Sequence, residues 1–480
     1  LLPSFSGDGG PFPPPPDPPP PPGFIRDGVA QMGGQFVRRR AAVDPEIDGC
    51  LQALFPDELY SAAVHGYVPA DPTTGAVSRS FETQAKIAAG ARRSYDRPTP
   101  VELDTVLAWT ESKYSALRHA LPDDFLSKDH FVRCLHRLDL TSSPGYPFMR
   151  EASTNGQWLG WTFQPDPVRV DLLWEYVKQV IRGKFEHLYR VFVKDEVHKT
   201  SKAEAGRWRL ILASALPVQM VWHMLFGDMN DMEAAKVFET PSLYGMSFCA
   251  GGWKYFKDYA ASKGLTHAVD KSGWDWNAPG WVFQADLEVR RRLCVNVTDE
   301  WCALADAMYR DAFLDSRLVM PDGTIYKQQF AGFMKSGVVN TISTNSRAQW
   351  MLHCLASLRV GTQPSPLVAC GDDTLQSQYP PGYLYELGRA GCLIKHCKES
   401  LEFMGFSFDG KIVPLYEEKH VATVRYKAQV ISEVLDAYCR MYAHAPLYDS
   451  WAKLARKLGV SLMSRSFYRT FMDSPYPLRV

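Results

Sequence analysis

The 480-residue chain is too long for one ordinary core, and a 46% hydrophobic content reads as a soluble globular protein of two or three subdomains. Lysine plus arginine number 53 and so do aspartate plus glutamate, a balance that excludes broad, nonspecific coating of nucleic acid and requires any such binding to rest on locally concentrated positive charge. The 10 cysteines contain no Cys-x-x-Cys pair and the 12 histidines no His-Glu-x-x-His pattern, which leaves a zinc framework, a secreted disulfide scaffold and a hydrolase without support.

In chain order, Pro11-Phe12-Pro13 through Pro22 is low-complexity and predicts an extended polyproline II linker, with docking to a proline-recognising domain as the sharper reading. The start at Leu1 fits a polyprotein fragment or a truncated chain, and no stretch is long and apolar enough for a signal peptide or membrane span. Thr141-Ser142-Ser143-Pro144-Gly145-Tyr146-Pro147-Phe148 is a loop by composition. Asp166-Pro167 opens a helix that runs to Gly183. Tyr189 through Lys202, continuing through Gly206-Arg207-Trp208-Arg209-Leu210-Ile211, is locally basic, and Arg209-Leu210-Ile211-Leu212 is β-like. Most such charge runs are solvated surface strands.

Thr266-His267-Ala268-Val269 predicts a strand that ends at Asp270, after which the chain bends through Ser272-Gly273 and sets Asp275 nearby. Ser336-Gly337 opens a loop that runs into a helix through about Leu358, where Thr341 and Asn345 share a face. Leu367-Val368-Ala369-Cys370, Gly371-Asp372-Asp373 and Thr374-Leu375-Gln376 read as strand, tight turn, strand. Gly382 to Ala390 reads as a short helix stopped by Gly391, followed by Lys395 and Lys398. Asp409-Gly410 predicts a two-residue hairpin between Leu401–Phe408 and Lys411–Val413, and amphipathic helices are expected at Gln429–Tyr442 and Tyr448–Leu458. Cys392, His396 and Cys397 lack an apparent fourth ligand and read as ordinary residues.

Each polar element has a bland reading: turn residues for the Gly-Asp-Asp tripeptide, helix capping for Ser336 and Thr341, a solvated side for Asn345. Their joint order is harder to dismiss. Carboxylates from two strands, brought together, can hold two Mg²⁺ ions roughly 3.5–4 Å apart, which activate an attacking oxygen and stabilise a leaving phosphate. Lysine supplies a mobile point charge and arginine a bidentate fork for phosphate oxygens.

In order and spacing these residues resemble the motifs of RNA-dependent RNA polymerases of positive-strand RNA viruses, over about half the chain. The wording Asp270-Lys271-Ser272-Gly273-Trp274-Asp275-Trp276 resembles the sobemovirus and polerovirus group in particular. The resemblance implies an α+β right-hand polymerase fold: a disordered Pro-rich linker at 1–23, fingers at 24–262, palm at 263–285, a fingers insertion at 286–330, palm again at 331–400, and a primer-grip hairpin and helical thumb at 401–480. It implies metal binding by Asp270, Asp372 and Asp373, with Asp373 less direct. Asp275, Ser336, Gly337, Thr341 and Asn345 would read the incoming ribonucleotide, and Lys194, Lys202, Arg207 and Arg209 would receive its triphosphate, Arg209 foremost. Ser143, Gly145 and Pro147 match the template-entrance motif, where small side chains let a single strand pass close to the backbone.

The same resemblance implies a lysine that protonates pyrophosphate, with Lys398 favoured. Where the family pattern has Cys-Ser in the primer grip, this chain has Met404-Gly405, which leaves the exact clade open. The implied cofactors are two Mg²⁺ ions, with Mn²⁺ a substitute. The implied partners are RNA template and product, ribonucleoside triphosphates, and other viral replication proteins or a protein primer, in a replication complex of the host cytoplasm. A site built to hydrogen-bond the 2′-hydroxyl is left unpaired by a deoxy sugar, so the polar set around Asp275 argues for RNA synthesis. A reverse transcriptase and a non-catalytic RNA-binding scaffold are the rival readings.

Overall fold

The computed structural model describes residues 17–33 and 38–475. Two hydrophobic cores organise the chain. A four-stranded antiparallel sheet of Ile394–Glu399, His267–Lys271, Asp373–Gln376 and Leu367–Cys370, in that spatial order, lies where the cores meet. Strand side chains alternate between faces, so Leu367 and Ala369 enter one core while Val368 and Leu375 enter the other. Both segments expected to form the palm contribute to this sheet.

The larger core carries a five-stranded sheet ordered Phe24–Val29, Thr324–Gln328, Arg317–Val319, Tyr189–Val193, Leu210–Ala213. Tyr189, Val191 and Val193 are buried in it, while Arg190 and Phe192 between them are less buried, as the alternating sequence requires. Alongside runs the helix Thr341–Arg359, buried on every side from Ser343 to Ser357 although many of those residues are polar. Arg347 meets Glu233 at 2.8 Å and Asp286 at 3.2 Å, and Arg290 also meets Asp286, at 3.2 Å. Ser343 donates to Glu233 at 2.6 Å, while Thr344 and Tyr309 donate to Asp286 at 2.7 and 2.5 Å. These groups tie the helix to its neighbours Leu216–Ala235, Gly280–Leu293 and Asp299–Phe313.

Several expected boundaries move. Residue 286 falls inside the helix Gly280–Leu293, so no break separates palm from insertion there. The strands at 317–319 and 324–328 complete the sheet begun by Phe24–Val29 and do not form a unit of their own. The smaller core draws Ile47 and Leu51 from the helix Pro45–Leu54, Phe55 that follows it, and Trp253 and Phe256 from Gly252–Lys263 onto the C-terminal helices, so the span 24–262 is shared between cores. Apolar faces choose partners by complementarity, which chain position does not reveal. Besides Ile431–Met441 and Tyr448–Lys457, the C-terminal region has helices at Glu417–Val424 and Arg465–Asp473, the latter capped by Ser464.

The tight turn after Glu402–Phe403 is Met404-Gly405, with φ of 50° and 79°, and pairs Phe403 with Phe406; Asp409-Gly410 lies in the longer return to Val413–Pro414. Consecutive positive φ values match the twist of a two-residue hairpin, and flanking aromatic pairing outweighs the turn preference of Asp-Gly. Residues 1–16 of the expected linker lie outside the described residues, but 17–23 are not a loose tether: Pro21 is buried, its carbonyl accepts from the Phe24 amide at 3.1 Å, and Asp17 pairs with Arg26 at 2.6 Å. Pairing of Phe24–Val29 with the sheet fixes the preceding prolines.

Replacing Arg347 by leucine would leave Glu233 and Asp286 short of a counter-charge in the dry interior. An uncompensated buried charge costs about 3–5 kcal/mol. Equilibrium denaturation should show a loss of that order, and an unchanged midpoint would show that the cluster contributes nothing to holding the helix.

Candidate active site

The strand His267–Lys271 pairs with Asp373–Gln376 through Val269 and Thr374, and one more step of that register sets Asp270 opposite Asp373. Cys370 pairs with Asp373, which leaves Gly371 and Asp372 as the turn, Gly371 at φ +63°. The Gly371 amide donates to Ser346 Oγ at 2.8 Å, and that hydroxyl donates to the Ile342 carbonyl at 2.7 Å, so the buried helix holds the tip. Asp372 is exposed there, while Asp373 is half-buried and accepts from the Met404 amide at 2.7 Å. Desolvation in the crowded cleft, with Asp270 beside it, pushes the Asp372 carboxyl up despite the offset from Lys271. Asp373, pushed the same way by burial and by its acidic neighbours, rises to about 6.

Behind the acids lies Lys271, buried and donating to Val269 O at 3.0 Å and to Thr374 Oγ1. Burial lowers its ammonium from the usual range while the acids oppose that shift. The strand pattern gave no signal for it.

Lys395 carries the ammonium nearest Asp270, Nζ to Oδ2 at 3.0 Å, with His396 Nδ1 at 3.6 Å from the same oxygen. Ile394 pairs with Lys271 and His396 with Asp270, so the register slips at Lys395. Such a bulge re-aims a side chain. Lys398, favoured from the sequence, sits opposite Ala268 and is engaged by Glu402 at 2.5 Å; the structure does not bring it to the carboxylates.

Asp275 lies in the short helix Trp274–Asn277. Asn345 donates to it at 3.4 Å and accepts from Trp274 Nε1 at 2.8 Å, so Asn345 is buried against the cleft and not on a solvated side. Burial first, and then the Asp372 charge, raises the Asp275 carboxyl to about 7, against the opposing fields of Arg209 and Lys194. Ser336 accepts from the Leu212 amide at 3.2 Å, Gly337 donates to Leu212 O at 3.0 Å, and Ser214 donates to Gly337 O at 2.9 Å. A Cβ on Gly337 would stand 2.2 Å from Leu212 O, so only glycine permits this docking. Thr341 shares the Asn345 face but spends its hydroxyl on Val338 O at 2.5 Å and Lys335 O at 3.1 Å, which makes it a brace for the loop.

The basic segment forms the facing wall. Arg209 meets Glu196 at 2.7 Å, with Lys194 at 3.5 Å and Lys419 at 3.4 Å from the same carboxylate. Desolvation opposes ionisation of Glu196, but those cations hold its carboxyl below the usual range. Burial and then repulsion from Arg207, Lys395 and Arg209 lower the Lys202 ammonium, and Arg207 Nε is buried without a hydrogen-bond partner.

The Thr141–Phe148 loop is placed differently from expectation. Gly145, at φ +69°, lies against the backbone of Ser214, where a Cβ would approach the carbonyl to 2.4 Å. Its smallness serves the docking of this loop on the Ser214 backbone. Ser143 Oγ accepts from the Gly145 amide at 3.2 Å and from Arg190 at 3.5 Å, and Pro147 carries the chain into the turn Phe148–Arg150.

The family described as viral RNA-dependent RNA polymerase matches residues 80–381. The chain belongs to that family. It is 34% identical over 251 residues to the replicase polyprotein P2AB of Southern bean mosaic virus (isolate Bean/United States/Arkansas), a match covering 49% of this chain and 25% of that polyprotein. It is 28% identical over 298 residues to the RNA-directed RNA polymerase of Mushroom bacilliform virus (isolate Australia/AUS LF-1), covering 56% of this chain and 69% of the other. The chain thus aligns with about a quarter of the replicase polyprotein, and the expected kinship with the sobemovirus and polerovirus group is borne out. The solved Sicinivirus 3Dpol RNA-dependent RNA polymerase superposes with a TM-score of 0.70 at 18% identity, over 93% of this chain and 98% of its own, which shows the expected α+β right-hand fold.

Viral RNA-dependent RNA polymerases in general work with a divalent metal. The donor set here fits one: Asp270, Asp372 and Asp373 offer hard oxygens, and the burial that, with the neighbouring acids, raises the last two is what a bound cation offsets. Among the described residues no three metal-ligating side chains are already gathered into a cage, since Asp270 turns to Lys395 and Asp373 to the Met404 amide.

The Asp275 carboxyl shifts from its ordinary 3.8 to about 7 on folding. A folded-state value above the unfolded one favours the fold at low pH, and that contribution is lost as pH rises through the folded value. Without divalent cation, wild-type melting temperature should therefore fall more than that of Asp275→Asn between about pH 5 and about pH 7. Parallel profiles for the two proteins would contradict the shift.

Proposed function

We propose that the chain is an RNA-directed RNA polymerase that copies viral RNA by nucleotidyl transfer from ribonucleoside triphosphates to an RNA 3′ end. One observation carries the reading: the carboxylates of Asp270, Asp372 and Asp373 share a cleft with the cations of Lys194, Lys202, Arg207 and Arg209, and the Asp275–Asn345 pair lies within reach of both fields.

Arg209 and Lys194, now held by Glu196, and Arg207, with its unpartnered Nε, would take the triphosphate oxygens. Asp275 and Asn345 would meet the ribose 2′-hydroxyl, and a deoxy sugar would leave that partly buried pair unsatisfied. Ser336 and Gly337 lock the loop to the strand bearing Leu212 and so set the depth of the sugar site. The primer 3′-hydroxyl attacks the α-phosphate in line, the bond to pyrophosphate breaks, and Lys395 is placed to give the leaving group a proton. Two Mg²⁺ ions, or Mn²⁺ in their place, held by Asp270 and Asp372 with support from Asp373, would supply activation of the attacking oxygen and charge stabilisation of the leaving phosphate. Ser143 and Arg190 line a candidate path for the template. We place the enzyme in a replication complex of the host cytoplasm, with other viral proteins or a protein primer as partners; among the described residues no helix is long and apolar enough to cross a membrane.

Primer extension on an RNA template with Mg²⁺ and four ribonucleotides should give product that Asp372→Ala abolishes while folding and RNA binding persist. Product from deoxynucleotides alone would move the chain to reverse transcription, and salt-sensitive RNA binding without product would leave a scaffold. Lys395→Met should slow single-nucleotide incorporation by about a hundredfold, the lower range for general-acid catalysis, with Lys398→Met close to wild type. The reverse order in rapid-quench measurements would restore Lys398 to that role.

A further inference from the structure

Among the described residues, three cations converge on the carboxylate of Glu196. Arg209 Nη1 meets Oε1 at 2.7 Å, while Oε2 is shared by Lys194 Nζ at 3.5 Å and Lys419 Nζ at 3.4 Å. The chemistry proposed above gives Arg209 and Lys194 to the triphosphate and leaves Lys419 without a part. Lys419 also arrives from elsewhere in the fold. Lys194 and Arg209 adjoin Val193 and Leu210 of the larger core, whereas Lys419 stands on the helix Glu417–Val424, whose Val421 and Ala422 enter the smaller one.

The seam between the cores holds these groups in place. The helix Asp57–Gly66 packs on Glu417–Val424 and runs into Tyr67–Val68, which pairs with His198–Lys199 just beyond Glu196; Thr200 Oγ1 adds a bond to the His65 carbonyl at 2.8 Å. The Arg209 amide donates to His198 Nε2 at 3.1 Å and its carbonyl accepts from the Lys194 amide at 2.9 Å, so a change of partner falls to the side chains alone. The Arg209 side chain is 56% exposed and that of Glu196 19%, so a ligand reaches the guanidinium while the acid stays half-buried behind it.

Resting on the polymerase reading, we propose that Lys419 is a positioning residue for the incoming nucleotide, keeping Glu196 paired while Arg209 and Lys194 pass to the triphosphate. Without Lys419, that transfer would strand a half-buried carboxylate beside an anionic ligand, and an uncompensated charge of this kind is strongly unfavourable. Glu196 would then keep its hold on Arg209. With Lys419 already on Oε2, the exchange leaves every charge with a partner, and the Arg209 bond on Oε1 is the one released. Burial first, then repulsion from Arg209 and afterwards from Lys419, against the pull of Glu196, lowers the Lys194 ammonium, so the cluster carries more positive charge than one acid neutralises. A triphosphate relieves that excess, and Lys419 stays behind as the counter-charge.

The test is single-ribonucleotide incorporation on a primed RNA template by wild type, Lys419→Met and Lys419→Arg, each also in a Glu196→Gln background. Lys419→Met should raise KM for the nucleotide about fivefold to tenfold, in the range of coupling between charged neighbours, with kcat moving far less; Lys419→Arg should stay near wild type. In the Glu196→Gln background there is no carboxylate to hold Arg209, so Lys419→Met should change KM by less than about twofold. An unchanged KM in Lys419→Met, or a rise of equal size in both backgrounds, with incorporation by the wild type intact, overturns the positioning role alone; the equal rise would mean that Lys419 meets the triphosphate itself or acts through the fold. Failure of the wild-type protein to incorporate any ribonucleotide overturns the role and the polymerase reading together.

Discussion

Arg290, Arg347, Glu233 and Asp286 share a space from which water is excluded, and the position of the site depends on their mutual neutralisation. A buried ion cluster of this kind adds little net stability over an apolar core of the same shape, but it is demanding about geometry. What it fixes is the helix Thr341–Arg359. From that helix Asn345 reaches Asp275 and Ser346 reaches the Gly371 amide, so one rigid element sets both Asp275 and the Gly371-Asp372 turn. Placement on a packed helix gives the accuracy that a loop could not.

The cleft itself is electrostatically unsatisfied on both sides. On one wall burial, with neighbouring carboxylates adding to it, makes Asp373 and Asp275 hold their protons more tightly than free acids do, and on the other burial, with neighbouring cations adding to it, makes Lys202 hold its proton less tightly. The internal pairs Lys395–Asp270 and Arg209–Glu196 relieve part of this strain in the free protein.

Much of this was legible from local pattern. The strand leading to Asp270, the turn at Gly371-Asp372 and the helix bearing Thr341 and Asn345 each announce themselves within a few residues, because alternation and turn chemistry are short-range. The contacts that local pattern does not show depend on distant partners. Lys395 displaces Lys398 from the carboxylates through a bulge that exists only in pairing with another strand. Gly145 is small because Ser214, far along the chain, crosses it, and Thr341 braces a loop whose path is set by Leu212. The buried cations Lys271, Arg290 and Arg347 look like surface residues until their polar partners are gathered by folding, Lys271 against strand atoms and acids and Arg347 against Glu233 and Asp286 of other helices. The Met404-Gly405 turn won over Asp409-Gly410 because Phe403 and Phe406 pair across it.

The alternation of Leu367 and Ala369 into one core with Val368 and Leu375 into the other has a mechanical consequence. A one-residue slip in a strand with one wet face turns its apolar side to solvent; in Leu367–Cys370 it would exchange the partners of both faces together. The acidic tip is therefore indexed in whole steps, like a tooth in a gear, with no stable position between one register and the next. An insertion or deletion within 367–376 would not tune the site but would disengage it, whereas added length in the return through Asp409-Gly410 would leave the index untouched.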